Sequence, residues 1–321
     1  MKPLVSILIP CYNAEAFLAE TLESALSQTW ENKEIIVVDD GSRDRSLTIA
    51  KQFDSRGVKV ISQENRGASA TRNRAYQESQ GDFIQYLDAD DLLAPDKIER
   101  QMQIFAEGNT DYVAAGEWAK FYQHPSEAVF EPEPFWTDLA PIEWLISLWD
   151  KPSMIHPGVW LVPRHLTETA GLWDERLSLD DDGEYFCRIV LASAGVKFCR
   201  DAKVFYRSGI SGSLSVAKST QAWKSRFLSL ELCKNYLLAK EDSLSTRRAC
   251  ANRFQRFFYE VYPNVPEICR QAAERVKELG GSDVQPVIGP KMRPFAQIIG
   301  WRQAKKIQHF AYKYGLSSAV S

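Results

Sequence analysis

The sequence predicts an α/β protein, a mostly parallel open sheet flanked by helices and followed by a helical C-terminal appendage. Three observations carry this expectation. Short apolar runs alternate with segments of helical periodicity through residue 92, the pattern of βαβ units. Each run stops on polar, turn-forming residues, and beyond about Leu214 the strand-like runs cease while helical periodicity continues.

In chain order, Leu4 to Ile9 is a β-branched-rich run ended by Pro10, which suits an interior strand. Asn13 is then placed to cap a helix on which Phe17, Leu18, Leu22, Ala25 and Leu26 share a face. Glu34 to Val38 forms a second strand, and Ser42 or Asp44 is placed to cap the following helix. Val58 to Ile61 is the third strand, and Asn65-Arg66-Gly67 turns into a helix over residues 68–78. Phe83 to Leu87, bounded by Gly81 and Asp88, is the fourth strand. A helix is expected from Pro95 to Ala106, a strand from Tyr112 to Tyr122, and a proline-rich loop from Gln123 to Pro141. Pro157 to Val162 reads as a strand, Asp182 to Ala194 as a helix, and Val196–Cys199 with Ala202–Tyr206 as a strand pair. Residues 217–239, 243–261 and 264–280 read as helices. The last segment, Phe295 to Tyr314, mixes Ile298, Trp301, Ile307 and Phe310 with Arg302, Lys305 and Lys306. Such a basic, aromatic amphipathic helix either docks on its own protein or lies on an anionic membrane.

The expected division is an α/β domain over 1–214, made of two halves (1–92 and 93–214), and a helical region over 215–321. With 321 residues, 45% hydrophobic and 25% charged, the chain is long enough for one large domain or two smaller ones. A formal charge of −3 and a pI near 5.9 argue against a protein held to nucleic acid by phosphate attraction. The six cysteines are scattered without CxxC or zinc spacing, so free thiols in a reducing compartment are expected. The N-terminal apolar stretch is interrupted by Pro10, and no run approaches the length of a membrane span. The expected location is cytoplasmic, with peripheral contact at the inner membrane face as the alternative for the C-terminal helix.

The chemistry concentrates in GDFIQYLDADDL, Gly81 to Leu92, where a buried strand emerges into Asp88, Ala89, Asp90 and Asp91. Repulsion disfavours such crowding unless cations or hydrogen-bond donors gather there. Two hard oxygen ligands suit Mg²⁺ or Mn²⁺, and ligands of open α/β sheets bind at the carboxyl ends of strands. The plain alternative is a solvated acidic turn before a helix.

Four polar clusters fall at strand ends: Pro10-Cys11-Tyr12-Asn13, Asp39-Asp40-Gly41-Ser42, Asn65-Arg66-Gly67 with Arg72-Asn73, and Asp88-Ala89-Asp90. With WDERLSLDDDGEYFCRI further on, the motifs VSILIPCYNAEAFL, IIVVDDGSRDRS, ENRGASATRNRA and GDFIQYLDADD make the chain resemble the inverting family 2 glycosyltransferases over roughly residues 3–210. The resemblance implies a GT-A, Rossmann-like nucleotide-sugar domain. It also implies transfer of a sugar, from what is expected to be a UDP-sugar, to a saccharide or lipid-linked hydroxyl, with a divalent cation.

On that reading Pro10, Tyr12, Asn13, Asp39, Arg72, Asp88 and Ala89 surround the nucleotide. Tyr12 either offers its ring to the base or packs as a core tyrosine. Asp39 either accepts the N3–H of uracil or serves as a turn residue. Arg72 either grips phosphate or ribose through its planar fork or forms an ion pair, as Arg66 and Arg74 are expected to do. The resemblance places Asp88 toward ribose or metal and makes Asp90 the direct metal ligand. It puts the general base in the late acidic motif, here Asp182 with Asp181 in support, although the run of three aspartates leaves the register open by one position and Asp181 stands where the family usually has Glu. These acids otherwise cap a helix in which Glu184 and Arg188 form an i,i+4 pair. His156, Trp160 and Trp173 are acceptor-pocket candidates with core packing as the alternative, and Arg207 is a candidate to close over the diphosphate from a Gly/Ser-rich loop. A nucleotide-sugar sensor without turnover is the alternative function. A dehydrogenase is disfavoured because no GxGxxG follows the first strand.

Overall fold

The computed structural model describes residues 2–106, 108–151, 153–210, 219–289 and 292–313. Its centre is an eight-stranded sheet. The first half alternates as expected: β1 (Val5–Cys11), α1 (Leu18–Leu26), β2 (Lys33–Asp39), α2 (Ser46–Lys51), β3 (Val58–Ser62), α3 (Ala68–Gln77) and β4 (Phe83–Tyr86). Next come β5 (Leu92–Leu93), α4 (Lys97–Ile104), β6 (Tyr112–Phe121), α5 (Pro141–Asp150), β7 (Trp160–Pro163), α6 (Arg164–Ala170), α7 (Asp181–Ala192) and β8 (Gly195–Arg207). The last third is α8 (Thr220–Lys240), α9 (Leu244–Val261), α10 (Pro266–Glu278), α11 (Arg293–Ile299) and α12 (Trp301–Lys313).

The strands lie in the order β3-β2-β1-β4-β7-β6-β8-β5. The first four are mutually parallel, and β1 and β4 are almost wholly buried because helices cover both faces. From β1 the chain winds outward to β2 and β3, then returns to the other side of β1 for β4. The carboxyl ends of β1 and β4 therefore flank a topological switch point, the usual ligand crevice of such sheets. Beyond β4 the sheet is mixed: β7 is antiparallel to both β4 and β6, β8 is parallel to β6, and β5 is antiparallel to β8. One apolar core runs without interruption from β1 to the last turn of α10, and a small second cluster joins Met292, Ala304 and Ala311.

Several local expectations are corrected. Residues 195–207 form one strand, and its register against β6 jumps from Gly116 opposite Cys199 to Glu117 opposite Lys203. Gly116 permits this bulge because a Cβ there would collide with the Ala202 carbonyl. Residues 157–159 form a single 3₁₀ turn, so the strand starts at Trp160. Asn13 caps no helix, since α1 begins at Leu18. Instead Asn13 adopts a left-handed conformation (φ 50°) and ties two loops together. The terminal amphipathic segment is broken into two helices at Gly300 (φ +79°), and Tyr314 lies outside the described residues. The expected boundary at residues 214/215 lies outside them too. Among the described residues, no helix is long and apolar enough to cross a membrane.

Gly81 leads into β4 beside β1, where an added Cβ would come within 2.6 Å of the Ser6 nitrogen. Gly81→Ala is expected to destabilise the fold by about 1–3 kcal/mol, read as a lower urea midpoint at unchanged m-value.

Candidate active site

Backbone turns and carboxylates organise the crevice before any functional group is considered. Asn13 donates its N–H to Ser42 Oγ (3.0 Å) and accepts the Arg43 N–H at Oδ1 (2.8 Å), which pins the loop after β1 to the loop after β2. Asp44 accepts the Ser46 N–H (2.9 Å) just ahead of α2, but Arg45 occupies the cap position, so neither Ser42 nor Asp44 caps that helix. Asp40 accepts three hydrogen bonds, from Gln63 Nε2 (2.8 Å), Arg66 N (2.9 Å) and Gly67 N (2.8 Å), and so fixes the turn into α3. Beside it Asp39 is 1% exposed; one carboxylate oxygen accepts the Ser42 N–H (3.2 Å), while Oδ1 is buried without a partner. A buried unpaired acceptor is unfavourable and calls for a donor. Tyr12, by contrast, is 46% exposed at the lip of the crevice and is not a core tyrosine. Pro10 completes the end of β1 opposite Val38, and the Ala89 carbonyl accepts the Thr21 hydroxyl (3.0 Å).

Arg72 projects from α3 and is almost completely buried. It donates to Asp88 Oδ1 and Asp181 Oδ2, both at 2.8 Å, while its guanidinium carbon sits 4.4 Å from the Trp173 ring centroid. Two carboxylates more than ninety residues apart in sequence thus meet at one cation. This corrects the expectation of a fork free for phosphate or ribose, because both arms are occupied by acids. Arg66 and Arg74 form the expected ion pairs, with Glu175 and Glu78.

The acids around this junction do not share one environment. Burial, and then the neighbouring Asp88, push Asp90 up to about 6; the Arg207 charge only partly offsets them. Asp91 is fully buried, accepts the Arg207 N–H (2.9 Å) and lies 3.4 Å from His156 Nδ1; burial and the adjacent aspartates hold it well above the usual carboxylate range. Burial of Asp182, with Asp181 and Asp180 beside it, raises its carboxyl to about 8, against the opposing pull of Arg72 and the Gly183 N–H (2.8 Å).

The late acidic loop is held by the helical last third. Ser225 on α8 accepts the N–H groups of Ser178 (2.8 Å) and Leu179 (3.0 Å), and Ser229, one turn later, donates to Asp180 (2.8 Å). Asp180 takes a left-handed conformation (φ 62°) at the start of α7 and also meets Arg253 of α9 at 3.3 Å. Ser69 donates to Asp181 at 3.1 Å. Glu184 and Arg188 form the bidentate i,i+4 pair expected of them, with the Tyr236 hydroxyl donating to Glu184 (3.0 Å).

The acceptor-side expectations fare differently. Trp160 is buried and stacked on Phe186 (5.0 Å, 14°), and Trp173 is sandwiched between Arg72 and Tyr185 (4.2 Å, 10°). Neither presents a ring face to a sugar. His156 is also buried, among Trp118, Tyr206 and Asp91, and burial lowers its pKa to about 4, so it is neutral. Arg207 is buried at the end of β8, donating to the Asp90 carbonyl (2.8 Å) and to Glu20 (2.6 Å) between the rings of Phe17 and Phe121. It is a fixed brace under the acidic turn rather than a closing arm. Residues 211–218 of the Gly/Ser-rich loop lie outside the described residues. A cleft of about 570 Å³ elsewhere, lined by Pro141, Ile146, Lys240 and Ser245 among others, contains none of the predicted site residues.

Among the described residues, no group of three or more His, Cys, Asp or Glu side chains is disposed to hold a metal ion. What the crevice offers a cation is the carboxylates Asp88 and Asp90. That donor set fits Mg²⁺ or Mn²⁺, which take one or two protein carboxylates and complete their shell with phosphate oxygens and water.

The sequence profile described as Glycosyl transferase family 2 matches residues 6–145, the stretch that carries β1 to β4 and the acidic turn. Over those residues the chain resembles glycosyl transferase family 2. The chain is 32% identical over 199 residues to an uncharacterized glycosyltransferase of Rickettsia typhi, covering 60% of each chain. It is 37% identical over 118 residues to the putative teichuronic acid biosynthesis glycosyltransferase TuaG of Bacillus subtilis, covering 36% of this chain and 47% of that one. The alignments therefore span less than two thirds of either relative. The fold matches S. aureus TarS 1–349, solved in complex with UDP-GlcNAc, with a TM-score of 0.70 at 16% identity over 98% of this chain and 92% of TarS 1–349. The GT-A architecture expected from the motifs is thus the observed one.

Proposed function

We propose that the protein transfers a sugar from a UDP-sugar to a hydroxyl of a saccharide or lipid-linked acceptor, with inversion at the anomeric carbon and with Mg²⁺ or Mn²⁺ bound at Asp90. The observation that carries this reading is the Asp88–Arg72–Asp181 bridge, because it draws the donor-side acids and the late acidic motif into one crevice at the switch point. Asp182 is the general base. As the acceptor oxygen bonds to the anomeric carbon, its proton passes to the Asp182 carboxylate and the bond from that carbon to the diphosphate oxygen breaks. Asp181 is held by Arg72 and Ser69 and positions the start of α7. A divalent cation at Asp90 supplies charge neutralisation for the departing diphosphate. The TarS structures in complex with UDP and UDP-GlcNAc support a uridine donor for this chain as well.

Within this reading the unpartnered Asp39 oxygen accepts the uracil N3–H, and Tyr12 lies against the base. Asp39→Ala is expected to weaken UDP binding about 5- to 150-fold, measured by calorimetry with Mn²⁺ present. Unchanged affinity would remove Asp39 from the base site. The activity itself is tested by incubating the protein with a panel of nucleotide-sugars and Mn²⁺ and following diphosphate release. The expected result is release from a UDP-sugar that depends on the cation. Tight donor binding with neither hydrolysis nor transfer, across acceptors, would instead identify a sensor.

A further inference from the structure

Downstream of Asp283 the sequence contains six Lys and Arg residues and no Asp or Glu, in a chain whose overall formal charge is −3. Two helices of this basic segment are half docked. On α12, Trp301 packs against Phe258, Tyr259 and Tyr262 at centroid distances of 5.6, 4.9 and 5.3 Å, and Ala304 and Ala311 join Met292 in the small second cluster. That inward face accounts for why the helices hold to the protein. It leaves the outward face unexplained, because α11 exposes Phe295 and Ile298, the latter 83% accessible, and α12 exposes Ile307 and Phe310, the latter 59% accessible. Arg302 and Lys306 stand exposed on the same side of α12. Large apolar side chains grouped at a surface mark an interaction site, and apolar residues with cationic neighbours match the boundary between acyl chains and anionic headgroups.

We propose that the outward face of α11 and α12 docks on a bilayer surface carrying anionic headgroups. Uniformly positive charge decides between a lipid surface and a second copy of this chain, because two copies meeting through this face would bring their cations together. The apolar side chains enter the headgroup boundary while Arg302 and Lys306 meet the lipid phosphates. Docking does not depend on the transfer activity proposed above.

The test is co-sedimentation of the full chain with phosphatidylcholine vesicles, with and without about 30% phosphatidylglycerol. Binding to the anionic vesicles is expected to be at least about tenfold tighter and to weaken as salt is raised. Ile298→Ser with Ile307→Ser is expected to lower that affinity by about tenfold or more at an unchanged melting temperature, since both side chains are exposed. Absence of binding to anionic vesicles, equal binding to neutral ones, or full binding by the double variant would overturn the proposal. So would a dimer that the double variant dissolves in a protein that ignores vesicles. If the variant melts early, the lipid and salt dependence of the unmodified chain decides alone.

Discussion

Asp182→Asn is expected to lower the rate of sugar transfer by on the order of 10²–10⁴-fold while leaving UDP affinity within about threefold of the parent. The amide fills the same space and cannot take the acceptor's proton. Because burial and its neighbouring aspartates raise Asp182 to about 8, kcat/KM of the parent is expected to climb with pH and level off above that value. The same shift predicts a stability signature. A carboxyl raised above its unfolded value keeps a proton in the native state that the unfolded chain has released. Native stability therefore declines as pH rises from the ordinary carboxylate value to about 8. Asparagine carries no such liability, so the variant's melting temperature should exceed the parent's by more at about pH 9 than at about pH 5. A variant with full transfer activity would remove the base from residue 182.

Arg72→Met is expected to have the largest effect on stability among single changes in the crevice. It leaves Asp88 and Asp181 facing one another in a largely buried site with the shared cation gone, and removing one partner from such a network costs about 3–5 kcal/mol. The lower end applies because the Asp88 side chain keeps 27% of its exposure. Arg72→Lys does not restore the site, since an ammonium lacks the fork that spans two carboxylates and the flat face that covers Trp173. Adding Asp181→Asn to Arg72→Met should recover part of the loss, because the residues share one network and their effects do not add. Urea midpoints of the four proteins measure this directly. Equal midpoints for parent and Arg72→Met would show that the bridge contributes nothing.

The parallel half of the sheet was legible because its strands are buried on both faces and end in turn residues, so apolar runs and punctuation mark the same boundaries. The acidic turn after β4 and the acids opening α7 were legible for the same reason: carboxylates at the end of a buried strand or the start of a helix are conspicuous. Their meeting was not, because the contact runs through Arg72, whose partners lie 16 and 109 residues away. Trp160, Trp173 and His156 were expected near an acceptor by position, yet position does not reveal which way a ring faces. Stacking on Phe186 and Tyr185 turns both indoles inward. Asp40 passed as half of a pair, and only its three hydrogen bonds distinguish it from Asp39. Ser225 and Ser229 did leave a signal: two serines one turn apart on a face of α8 that is otherwise apolar and buried. That signal explains why a helical region without a motif belongs to the site, since it grips the loop that delivers Asp181 and Asp182.

The crystal structure of the protein with UDP and Mn²⁺ tests the convergence of these acids most directly. The account predicts the uracil at Asp39, the cation on Asp90, and the diphosphate lying between the acidic turn and the first turn of α7, with the Asp182 carboxylate facing the same space. A nucleotide bound instead in the cleft beside Pro141 and Lys240, or a diphosphate that leaves Asp182 on the far side of the sheet, would contradict it.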